Sequence, residues 1–163
     1  MMLGKALAHL HGEELELADA YRAVADKHSE ELDLAHTCRR FAEQCERRAD
    51  GLRPFLEKYG AHAGGALSRR IRGEVLGGVR RLAGKVLFRA EVSGAELLLD
   101  LRRFFRAAQG SALDWVLVGE AGHAAHDSAL RDHAESARLE KEVQIRWIKT
   151  MLRQVAPQVL VFS

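Results

Sequence analysis

The feature that most constrains this chain is an apolar periodicity that runs through its first 59 residues. Between residues 3 and 28, steps of four and three select one stripe: Leu3, Leu7, Leu10, Glu14, Leu17, Tyr21, Val24 and His28. The same spacing recurs in a second stripe: Ala35, Cys38, Ala42, Cys45, Ala49, Leu52, Leu56 and Tyr59. Such spacing places side chains on one face of an α-helix. Because only a short turn around Ser29 separates the two stripes, they predict an antiparallel helical hairpin.

The composition also favours an all-α fold. The chain has 163 residues, of which 47% are hydrophobic and 29% are charged, and it contains only two prolines. Helix-favouring alanine, leucine, glutamate and arginine are abundant, whereas β-branched residues are few. No run of about 18 apolar residues predicts a membrane span, and the N-terminal residues lack the pattern of a signal peptide. A cytoplasmic protein with one hydrophobic core is therefore expected.

The two cysteines are predicted to be buried and reduced. Cys38 and Cys45 are seven residues apart on one predicted helix, which separates them by roughly 10 Å along its axis. A disulfide needs Cα atoms within about 7 Å of one another. The pair is therefore expected to act as small core residues.

Capping residues, glycines and a proline predict the other helix boundaries. Gly110 followed by Ser111-Ala-Leu-Asp114 predicts a break or kink in the third long element. The remaining boundary residues are Ser29 as N-cap of the second helix, Gly60 at its end, Ser93 and Glu96 as a capping box, Asp127 or Ser128 as N-cap of the last helix, and Pro157 at its end. The chain is thus predicted to be a single helical-bundle domain over residues 1–163, with a hairpin at 3–59, a crossover at 60–93 and a second hairpin at 94–156.

Two features of the predicted hairpins suggest metal chemistry. Glu120-Ala-Gly-His123 places a carboxylate and an imidazole on one face of a helix. Glu14 occupies a stripe position where an apolar residue is expected. With two hairpins joined by a long connection, the sequence resembles an uncharacterised branch of the ferritin-like four-helix bundles. The resemblance covers most of the chain apart from about residues 62–93.

That resemblance implies an iron site in the bundle core. Di-iron members of the family carry a glutamate on each of two helices and Glu-x-x-His on each of the other two. Glu14, Glu120 and His123 match parts of this pattern. The second helix instead has alanine at the histidine position of Glu46-Arg-Arg-Ala49, and the last helix has no Glu-x-x-His. The implied site is a degenerate one, and the cofactor is expected to be iron or none.

Two further histidines, His126 and His133, extend the set of candidate ligands. His123 and His126, three residues apart, could share an ion with a residue of a neighbouring helix. The alternative is that these histidines surround a helix junction, where His126 near a helix C-terminus interacts favourably with the dipole. The complete set of candidate metal ligands is Glu14, Glu120, His123, His126 and His133.

Glu14 has a purely structural alternative. A buried carboxylate is costly without a partner, and Arg47 or Arg48, at the matching level of the hairpin, could form an internal ion pair with it. If Glu14 is only a polar core residue, Glu14→Leu is expected to stabilise the fold without changing ligand binding.

Residues 68–89 have an unusual charge. They contain seven basic residues and one acidic residue, a net +6, whereas the whole chain is +2 and the remainder is therefore −4. Such a segment is expected to pack across the acidic bundle of its own or a second subunit, or to contact an anionic membrane surface or an acidic protein. Nucleic acid is a weaker alternative, because Phe88 is its only aromatic residue.

The sequence leaves the question of catalysis open. It contains no glycine-rich phosphate loop, no Gly-x-Ser-x-Gly and no Cys-x-x-Cys. The first hypothesis is a non-catalytic bundle that acts by association and forms a dimer through an exposed helix face. The alternative is a metal-binding or di-iron oxidase-like protein that uses Glu14, Glu120 and His123 with help from His126 or His133.

Overall fold

A computed structural model describes residues 2–61 and 94–162. These residues form four helices and no strand: α1 (Met2–Lys27), α2 (Leu32–Lys58), α3 (Gly94–Ala124) and α4 (Ser128–Leu160). The prediction of an all-α bundle built from two antiparallel hairpins is confirmed. The predicted single domain over 1–163 and the crossover at 60–93 extend beyond these ranges. The basic residues 68–89 and the capping residue Ser93 lie outside them.

Contacts between the hairpins define the topology. Lys27 at the end of α1 lies 3.0 Å from Asp100 near the start of α3, so these two helices are antiparallel. Lys58 at the end of α2 lies 2.7 Å from Asp127, directly before α4, so that pair is antiparallel as well. Residue 61 therefore lies at one end of the bundle and residue 94 at the other, and the connection between them joins opposite ends.

A layer of buried polar residues divides the core in two. One apolar cluster surrounds Tyr21, Phe41 and Phe104, and the other surrounds Trp115 and Leu52. The polar residues between them are contributed by all four helices: Glu14, Arg48, Ser111, Lys141 and Gln144. The two cysteines are buried and free, as predicted. None of the described helices is long and apolar enough to cross a membrane.

Three predicted helix boundaries are wrong, and two are confirmed. Gly60 ends α2 as predicted, because it follows Lys58 and Tyr59 with a φ of 67°. Ser29 lies in the turn, because the first α2 hydrogen bond runs from the Ala35 amide to the Glu31 carbonyl. α3 continues past Gly110 without interruption. α4 continues past Pro157 to Leu160. Asp127, in contrast, caps α4 as expected, since its side chain accepts a hydrogen bond from the Leu130 amide at 3.0 Å.

Candidate functional site

The polar layer is centred on Glu14, whose side chain is fully buried and contacts all three other helices. Glu14 Oε1 lies 2.8 Å from the Lys141 ammonium of α4. The same oxygen accepts hydrogen bonds from Ser111 Oγ at 2.5 Å and Trp115 Nε1 at 2.9 Å, both on α3. Glu14 Oε2 accepts from Arg48 Nε of α2 at 3.1 Å. Both carboxylate oxygens are therefore occupied by donors of the chain itself.

The two cations keep Glu14 ionised despite its burial. Desolvation raises the pKa of Glu14, but the Lys141 ammonium and the Arg48 guanidinium outweigh it and lower the pKa to about 2. Burial raises the pKa of the neighbouring Cys45 thiol to about 11. The layer thus holds a carboxylate, an ammonium and a guanidinium beside a protonated thiol, and the second cation is balanced by Glu140.

The ion-pair network reaches the surface on one side of the bundle. Arg48 Nη1 donates to Glu140 Oε2 at 2.7 Å, and Arg47 lies 3.5 Å from the other oxygen of Glu140. Glu140 is partly exposed, whereas Arg48 is buried. Arg48 therefore has two carboxylate partners. Lys141 has only Glu14 among the ion pairs of the described residues.

The sequence predicted half of this network. It pairs Glu14 with Arg47 or Arg48, at the matching level of the hairpin. Arg48 is the partner, and it also contacts the Cys45 sulfur at 3.2 Å. Lys141 was missed, although a signal for it exists. The buried stripe of α4 steps by four and three through Leu130, Ala134, Ala137, Lys141, Gln144 and Ile148, so a lysine stands at a core position just as Glu14 does on α1.

The five predicted metal ligands do not converge in the structure. Glu14 is inside the bundle, whereas Glu120, His123 and His126 are exposed at the far end of α3. Glu120 and His123 line one open surface groove of about 560 Å³ between α3 and α4. Metal binding by that pair stays a prediction.

The other two predicted ligands, His126 and His133, have contacts that belong to the fold. His126 lies just after α3 and adopts a left-handed backbone conformation with a φ of 55°. Its amide and the Asp127 amide donate hydrogen bonds to backbone carbonyls of α3. His133 packs against the rings of Phe55 and Trp115, and its Nε2 lies 3.3 Å from the Arg48 carbonyl oxygen. The position of His126 agrees with the alternative of a helix-junction residue, whereas His133 lies within α4 and packs against aromatic rings.

One group of possible metal-binding side chains does converge within residues 2–61 and 94–162. His9 and Glu13 of α1 and Asp114 of α3 each offer one ligand atom, and these atoms all lie within 4.8 Å of one another. Partial burial and the nearby Asp114 carboxyl raise the pKa of Glu13 to about 7. Sequence reasoning missed this group, because no periodicity in either helix shows that position 114 lies opposite position 13.

The packing of His133 makes a testable prediction at Gly51. Alanine usually stabilises a helix interior relative to glycine by about 1 kcal/mol. A Cβ at Gly51, however, would lie 2.3 Å from Cε1 of His133, whose ring is held by its neighbours. Gly51→Ala is therefore expected to lower the free energy of unfolding by about 1–3 kcal/mol, measured by urea denaturation.

Gly110→Ala is the matched control, because nothing lies within 4 Å of the position its Cβ would take. That variant is expected to be at least as stable as the parent chain. Equal stability of the two alanine variants would show that His133 is free to move away and is not fixed in the core.

Comparison with known proteins adds no family to this description: neither a scan against protein-family models nor a search of curated proteins finds a match.

Proposed function

We propose that this chain is a ferritin-like four-helix bundle without catalytic function, and that it acts by association with a second copy of itself. The ferritin-like assignment is supported by the two antiparallel hairpins and by the connection between opposite ends of the bundle. Association is supported by one observation above all, which is the exposed surface of the second hairpin.

The outer surface of α3 and α4 carries an apolar patch. Its five residues are between 40% and 59% exposed: Leu113, Val116, Leu117, Leu139 and Val143. We call them the α3–α4 patch. A groove of about 520 Å³ between the helices, lined in part by Leu113, Val116 and Ile145, lies beside it. Exposed apolar residues that cluster in this way on a helix pair mark a surface that another protein covers.

Charges on either side of the patch favour a second copy as the partner. Six exposed basic residues lie toward the start of α3 and the end of α4: Arg102, Arg103, Arg106, Arg146, Lys149 and Arg153. The opposite end of the hairpin carries four exposed carboxylates: Glu120, Asp132, Glu135 and Glu142. Three of these are already paired within the hairpin, because Arg138 bonds both Glu135 and Glu142 and the exposed Arg131 lies 3.1 Å from Asp132.

A two-fold axis that passes through the patch perpendicular to the helices would place the basic end of one copy over the acidic end of the other. Such an interface is self-complementary in both charge and apolar surface, as closed dimers require. An anionic membrane or an acidic protein would match only the basic end and would offer no complement to the acidic end.

The metal-binding or di-iron oxidase-like alternative has less support at the bundle core. It would use Glu14 as a ligand, but a metal ion there would have to displace the Lys141 ammonium, 2.8 Å away, and the Arg48 guanidinium. Replacing two buried cations of the chain would leave their charges uncompensated. The polar layer is better explained as a structural element of the bundle.

Charged residues in the patch are expected to abolish association. A double variant, Leu113→Glu with Leu139→Glu, would place two carboxylates in the apolar contact, one from each helix. Because both side chains are exposed and glutamate favours helices, the monomer should fold normally by circular dichroism. Sedimentation velocity should then show a dimer for the parent chain and a species of 18.1 kDa for the variant, with a dissociation constant weakened at least about a hundredfold.

Leu32→Glu is the matched control, since Leu32 is 78% exposed at the start of α2 and lies on the other hairpin. It should leave the dimer intact. A dimer that survives in the double variant, or one that is lost equally in the Leu32 variant, would rule out the α3–α4 patch as the interface.

A further inference from the structure

A second group of ionisable side chains lies where α1 packs against α3. His9 and Glu13 are four residues apart on α1 and so share a face, and His9 Nε2 lies 3.1 Å from Glu13 Oε1. Asp114 approaches from α3, so that the ligand atoms of all three residues lie within 4.8 Å of one another. The group therefore joins the first hairpin to the second.

Within the described residues, His9 is the one basic side chain that pairs with the carboxylates of this group. In residues 2–61 and 94–162, Glu13 Oε2 is buried without a hydrogen-bond donor, and the Asp114 carboxyl is its neighbour across the helix contact. In the described part of the chain, neither carboxylate forms an ion pair with a lysine or arginine. Glu14, the next residue along, has two such partners. Two carboxylates held close together favour a bound cation.

We propose that His9, Glu13 and Asp114 bind one divalent transition-metal ion at the α1–α3 contact. One imidazole nitrogen and two carboxylate oxygens form a ligand set that suits Zn²⁺ and its neighbours among the divalent transition metals. The imidazole disfavours Ca²⁺ and Mg²⁺, which prefer oxygen ligands alone. His9 is mostly exposed, so an ion reaches the site from solvent. A bound ion links the two hairpins and stabilises the folded chain.

The probe is Zn²⁺, titrated by calorimetry into the full, metal-stripped chain without a histidine tag, near neutral pH. One ion per chain is expected to bind. His9→Ala and Asp114→Asn should each weaken the dissociation constant at least about tenfold, while circular dichroism shows that both variants fold. His36→Ala, which changes an exposed histidine on α2 outside this group and outside the predicted ligand set, should leave binding unchanged.

Thermal unfolding supplies a readout that does not depend on binding heats. Zn²⁺ should raise the midpoint of the parent chain and of His36→Ala, and should have much less effect on Asp114→Asn. The proposal is overturned if the parent chain takes up no Zn²⁺, if His9→Ala and Asp114→Asn bind it as the parent does, or if His36→Ala loses it.

Discussion

Glu14→Leu is expected to destabilise the bundle by about 3–5 kcal/mol, because it leaves a buried cation without its counter-charge. The Lys141 ammonium is fully buried, and Glu14 is the carboxylate that it contacts. Arg48 is less dependent on Glu14, since it also bonds Glu140. Equilibrium denaturation by guanidinium, followed by circular dichroism, measures the loss.

The double variant Glu14→Leu, Lys141→Met separates this effect from the loss of a well-fitting side chain. With both charges removed, no buried ammonium is left without a counter-charge and Arg48 keeps its bond to Glu140, so most of the lost stability should return. From the sequence alone, Glu14→Leu was expected to stabilise the fold if Glu14 were only a polar core residue. The buried Lys141 reverses that sign, and a more stable single variant would contradict the ion-pair description of the polar layer.

Acidification is expected to weaken the fold through the same residue. The pKa of Glu14 is lowered from its ordinary 4.5 to about 2 in the folded chain, so the ionised form is the one that folding favours. The stability it contributes is fully present above pH 4.5 and is lost as the pH falls toward 2. The shift corresponds to about 3 kcal/mol.

Other carboxylates titrate in this range as well, and Asp127 has a pKa of about 2 through its bonds to Lys58, the Leu130 amide and Tyr59. The measurement therefore compares the parent chain with Glu14→Leu, Lys141→Met at a series of pH values. As the pH falls, the free energy of unfolding of the parent chain should decrease by about 3 kcal/mol more than that of the double variant. Parallel curves for the two proteins would show that Glu14 does not carry this pH dependence.

The parts of the fold that repeat along the chain could be predicted from sequence. A stripe with steps of three and four predicts a helix and its buried face. A short turn shows which residues of two antiparallel helices lie side by side, so Glu14 could be paired with Arg47 or Arg48 from the sequence. Contacts between the two hairpins could not be predicted in this way. Nothing local to α1 shows that Lys141 lies beside Glu14 or that Asp114 lies beside Glu13, because a long connection separates the hairpins.

Two of the boundary errors have different causes, long-range packing at Gly110 and solvent exposure at Pro157. Gly110 costs about 1 kcal/mol in a helix, but α3 packs along α4 on both sides of it, and Ser111 donates to Glu14 instead of capping a new helix. Pro157 removes one hydrogen bond in the last turns of α4. The carbonyl that loses it belongs to the exposed Arg153, where water can replace the donor.

The mass of the unmodified chain in solution tests the proposed association most directly. Sedimentation equilibrium on the full chain at tens of micromolar should give twice the 18.1 kDa of one chain. High salt should weaken the dimer, because oppositely charged ends flank the apolar patch. A mass of 18.1 kDa at every concentration and salt level would contradict association with a second copy as the function of this bundle.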